Sequence, residues 1–67
     1  MDEPEDVIAL ADRHVQEAEE RVTEQASIVR RLEEAGRPRE ADGARAVLKA
    51  MRTTLDIARV HLLILRA

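Results

Sequence analysis

The chain contains no cysteine and no phenylalanine, tyrosine or tryptophan. Without thiols there are no disulfide staples, no cysteine-based metal sites and no thiol chemistry. Without aromatic rings there is no stacking platform for single-stranded nucleic acid. Glycine and proline occur twice each in 67 residues, so the chain has few places at which to break. No excess of one charge dominates: 11 basic residues stand against 14 acidic ones, for a net charge of -3. A slightly acidic chain is a poor generic binder of nucleic acid. The run Leu62-Leu63-Ile64-Leu65 is far too short to span a bilayer, and the N-terminus shows no signal-peptide pattern. The expectation is one soluble, cytoplasmic domain over residues 1–67, with no membrane partner.

What is present favours helix. Ala, Glu and Arg are abundant, and no strand-like alternation is sustained. The first helix is predicted over about 4–35. Pro4 suits a first helical position, and Asp2, Glu3, Glu5 and Asp6 place negative charge at the positive end of the helix dipole. A turn is predicted over about 36–39, where Gly36 can stop one helix and Pro38 can restart another. The second helix is predicted over about 40–66. Gly43 weakens its start by about 1 kcal/mol.

The apolar spacing is the strongest signal. Ile8, Ala11, Val15, Ala18, Val22, Gln25, Val29 and Leu32 recur at steps of three and four. Ala41, Ala44, Leu48, Met51, Leu55, Ala58, Leu62 and Leu65 do the same. These are heptad seams. A short connection makes the helices antiparallel. Facing residues then have a constant sum of residue numbers, and layers such as Ala18 with Leu55 and Ala11 with Leu62 follow. Every Ala of the first seam faces a Leu, which is what close packing requires. Beside the seams lie a basic column, Arg45, Arg52, Arg59 and Arg66, and a column of Asp12, Glu19, Ala26 and Glu33. The antiparallel pairing predicts that these columns meet. Exposed pairs of this kind contribute under ~1 kcal/mol each and favour one pairing over others.

Few residues carry chemistry. His14 and His61 occupy equivalent flank positions and are predicted to lie near each other, with Glu17 one turn from His14. Two His and one Glu are the weak candidates for a zinc site, which ordinarily wants more ligands and a supporting shell. No metal or other cofactor is expected. Gln25 is the single large polar residue in the seams; it either fixes register from a buried position or bends out to solvent. Arg30, Arg31, Arg37 and Arg39 form a basic tip that could meet phosphates or an acidic partner. There is no Ser–His–Asp set, no glycine-rich phosphate loop and no pair of acids in a pocket, so no enzyme is expected.

The second helix carries a further stripe at Val47, Ala50, Thr54, Ile57, His61 and Ile64, widened at the C-terminal end by Val60 and Leu63. It makes roughly four of seven heptad columns largely apolar, more than a core-facing helix needs. The first helix is narrower, with Glu17, Glu20, Glu24 and Glu34 on its outer side. One narrow helix cannot cover one wide one. A chain this small without staples tends to oligomerise. The predicted fold is therefore all-α: an antiparallel, coiled-coil-like hairpin that dimerises into a four-helix bundle. Its predicted function is non-enzymatic protein–protein interaction, with a homodimer as the first partner and a further protein partner possible in principle. The alternative is a small nucleic-acid-associated or regulatory protein using the basic tip.

One resemblance bears on this. Arg13-His14-Val15, then Glu17, Glu19, Arg21-Val22 and Gln25, resembles the first helix of short bacterial helical-hairpin proteins with no assigned activity. Ala35-Gly36, Val47-Leu48 and Thr54-Leu55 match their turn and second helix. The connection after Gly36 is slightly longer here, and Ala58 stands where those proteins carry a histidine. The resemblance implies a bacterial helical hairpin and no activity.

Overall fold

A computed structural model describes residues 6–67. Two helices make up the fold: α1 over Val7–Glu34 and α2 over Pro38–Arg66. No strand occurs among the described residues.

Helix α1 begins at Val7, later than the start expected near Pro4. Asp6 is the reason. Its backbone is extended at φ -56° and ψ 133°, and its carboxylate accepts a hydrogen bond from the Ile8 amide at 3.1 Å. An aspartate in that conformation satisfies one of the amides that the first turn leaves open. Pro4 and the charges at Asp2, Glu3 and Glu5 lie outside the described residues.

The other end of α1 closes through two reciprocal bonds. The Arg37 amide donates to the Leu32 carbonyl at 3.0 Å, and the Gly36 amide to the Glu33 carbonyl at 3.1 Å. This Schellman geometry needs a left-handed residue between them, and Gly36 supplies it with φ +70°. Pro38 then opens α2 at once, two residues earlier than expected. Its fixed φ is preset for a first helical position, where its missing amide costs nothing.

The helices pack along the two seams. Ala11, Val15, Ala18, Leu55 and Leu62 form a buried cluster, with Ile8, Val22, Ala58 and Leu65 packed around it. Val29, Ala41 and Leu48 are buried nearer the turn. All eight residues buried among those described are seam positions. The predicted columns also meet. Arg66 pairs with Asp12 at 3.7 Å, Arg59 with Glu19 at 3.8 Å and Arg45 with Glu33 at 2.9 Å. In each pair the residue numbers sum to the same value, so one antiparallel register runs from the open end to the turn. The same register sets Arg52 opposite Ala26, and Arg52 makes no ion pair among the described residues. Arg45 also bonds Asp42. That hydrogen bond, aided by the charges of Asp42 and Glu33, holds its guanidinium above the ordinary arginine value.

Gln25 stays in the seam rather than bending out to solvent. It is half-buried, and its Nε2 donates across the hairpin to the Ala44 carbonyl at 3.0 Å. A helical carbonyl has a second lone pair to offer, so the amide is satisfied without leaving the seam.

Candidate interaction surface

The two flanks of the hairpin are chemically different. One is closed by the ladder of Arg66, Arg59 and Arg45 with their carboxylates. The other is an open, mainly apolar groove. At the chain-end side it is lined by Val7, Leu10, His14, His61 and Leu65. It continues past His14, Arg21, Thr54 and Ile57. Nearer the turn it is floored by Ala18, Val47, Ala50 and Met51.

On the α2 side the groove runs into the broad outer face of that helix. Ile57 is 65% exposed, Leu63 67% and Ile64 66%, and Val47 and Val60 are also exposed. Ala50, Thr54 and His61 lie among them and are exposed as well. All eight residues of the stripe predicted for an interface are thus exposed. A helical pattern explains why. From residue 41 onward, every charged side chain of α2 falls in just two heptad columns: Asp42, Lys49 and Asp56 in one, and Arg45, Arg52, Arg59 and Arg66 in the other. The remaining five columns are free of charge over that stretch. Packing against a single helix occupies only part of that arc. Isolated exposed apolar residues are ordinary, but a contiguous patch marks an interaction surface.

The structure also places the other candidates. His14 and His61 line the same depression, as the register predicts, and both are exposed. Glu17 is not brought to them jointly; its carboxylate pairs with Arg13 at 3.8 Å. Among the described residues no group of three or more His, Cys, Asp or Glu is placed to hold a metal ion. At the tip, Arg30, Arg31 and Arg39 are exposed, and Arg37 pairs with Glu40 at 3.3 Å. No helix among the described residues is long and apolar enough to cross a membrane.

Sequence reasoning missed the contribution of α1 to the groove. Val7, Leu10 and Arg21 line it. Val7 and Arg21 share a heptad column with His14 and Ile28, and that spacing was the available signal. Comparison of the chain with protein families, curated proteins and solved structures gave no match. The resemblance to bacterial helical hairpins therefore rests on the quoted segments alone.

Proposed function

We propose that the chain is a non-enzymatic helical interaction module that self-associates through α2, two hairpins closing into a four-helix bundle. The observation that carries this reading is the uncovered apolar face of α2, where Ile57, Leu63 and Ile64 are each about two-thirds exposed. Burying such a surface is the main favourable term in association. A twofold dimer is the commonest way to cover a patch that every copy carries. The narrow, Glu-rich outer side of α1 offers no comparable surface.

Sedimentation equilibrium at micromolar concentration tests it. The wild-type chain is expected as a dimer. Ile57→Glu is expected to be monomeric, because it would bury an unpaired charge. Glu20→Lys, on the outer side of α1, is expected to leave the dimer intact. A fully helical wild-type monomer would refute the proposal.

A further inference from the structure

The exposed face of α2 is not uniform along its length. Its N-terminal half carries Gly43, Ala46, Ala50 and Thr53, all exposed. Its C-terminal half carries Ile57, Val60 and Ile64, also exposed. Together these residues recur at steps of three and four without a slip, so they form one stripe, a second seam on the outside of the hairpin. One half is small and the other is large.

Gly43 sharpens the point. A glycine inside a helix costs about 1 kcal/mol relative to alanine. A Cβ added there would meet nothing within 4 Å, and φ at Gly43 is not positive. Nothing within the hairpin calls for glycine at that position.

We propose that the occupant of this face is a second copy lying antiparallel, α2 against α2, with its large half on the small half of the first. The inference rests on the self-association proposed above and adds its direction and register. Parallel pairing would set Ile57 and Val60 on their own counterparts and Gly43 on glycine, holding the helices apart at one end over a void at the other. Antiparallel pairing removes that mismatch at Gly43, Ile57 and Val60, with Ile64 beyond them over the second copy's Arg39. In the register that repeats the spacing of the hairpin's own seams, Val60 lies over the second copy's Gly43. Ile57 lies over the second copy's Ala46, and Ala50 meets the second copy's Thr53. Large faces small in the first two layers, and the glycine has a purpose.

Charge selects the same direction independently. Lys49 has no ion pair within the hairpin among the described residues, and Asp56 reaches only Arg59, at 3.9 Å. Both sit in the column bordering the stripe. The antiparallel register brings Lys49 beside the second copy's Asp56, and twofold symmetry makes the reciprocal pair. Parallel twofold pairing would set this column against the opposite border of the stripe, at Thr54 and His61, and leave Lys49 without a carboxylate.

Three measurements test the arrangement, with mass by sedimentation equilibrium as the first readout. The chain has no cysteine, so Ala46→Cys and Ile57→Cys report position cleanly, and both sites are exposed. Under mild oxidation neither variant is expected to crosslink to itself, whereas an equimolar mixture is expected to give the mixed disulfide dimer. Lys49→Asp is expected to weaken self-association about tenfold, two repulsive contacts replacing two exposed ion pairs. Lys49→Asp combined with Asp56→Lys is expected to restore it to within about twofold, since the pair is only reversed. Gly43→Leu is expected to keep or raise helicity and yet weaken dimerisation more than a hundredfold, as an overpacked layer does. A dimer in which each single-cysteine variant links to itself would overturn the antiparallel arrangement and leave self-association standing. A dimer indifferent to Gly43→Leu and to both charge variants would do the same. A wild-type monomer would overturn both.

Discussion

Replacing Ile57 by alanine separates a hairpin that stands alone from one that pairs. In the isolated hairpin the change removes little, because Ile57 is 65% exposed. Alanine is also the better helix former, by a few tenths of a kcal/mol. A solitary hairpin should thus be unchanged or slightly more stable. In a dimer the exposed part of the side chain is what becomes buried. Isoleucine carries three more carbons than alanine, worth about 0.8 kcal/mol each when fully buried. If about two-thirds of that burial happens at the interface, each chain loses about 1.5 kcal/mol and the dimer about 3 kcal/mol. The dissociation constant should rise on the order of a hundredfold. The assay is thermal unfolding followed by circular dichroism across a hundredfold range of protein concentration. For the wild type, Tm should climb with concentration, since a partner that binds only the folded chain stabilises it by mass action. For Ile57→Ala the whole curve should move to higher concentration. A Tm independent of concentration, together with an Ile57→Ala Tm equal to or above the wild type, would refute the reasoning. Leu55→Ala is the internal control. Leu55 is buried in the core cluster, so it should lose about 2–5 kcal/mol whatever the oligomeric state.

Three further outcomes are expected. Ala26→Glu should supply the missing carboxylate opposite Arg52 and raise stability by about 0.5 kcal/mol at low salt, with the gain fading in high salt; no salt-sensitive gain in chemical denaturation would contradict the register. Gly36→Ala should cost about 1 kcal/mol or more, because φ +70° is left-handed; an unchanged denaturation midpoint would show that the Schellman turn is not required. Adding zinc should shift Tm little, and His14→Ala should be mild; a large zinc-dependent rise that vanishes in His14→Ala would establish a site that His14 and His61 share with a ligand from outside the hairpin.

The helices, their facing sides and the break between them were legible in the sequence because helix formation is local. Each backbone bond spans four residues, so the spacing of Ile8, Ala11, Val15 and Ala18 is itself the shape of the buried face. Gly36 and Pro38 marked the turn for equally local reasons: one adopts a left-handed backbone and the other needs no amide partner. The start at Val7 was also local, but two signals competed. Pro4 suited a first turn, and the carboxylate of Asp6 settled the described start as a cap. What only the tertiary structure decided involves residues far apart in the chain. Gln25 reaches Ala44 because the helices approach closely enough there for an amide to cross, a choice that periodicity leaves open. Whether Glu17 would join His14 and His61 depended on how the helices meet; it pairs instead with Arg13 on its own helix. The flank sealed by charge was foreseeable, because the antiparallel register predicted that the Arg and Asp/Glu columns meet. The groove that Val7, Leu10 and Arg21 of α1 line on the other flank appeared only once the helices were packed. With that side closed, the apolar columns of α2 were left facing outward, since a single narrow helix can cover only part of a wide one.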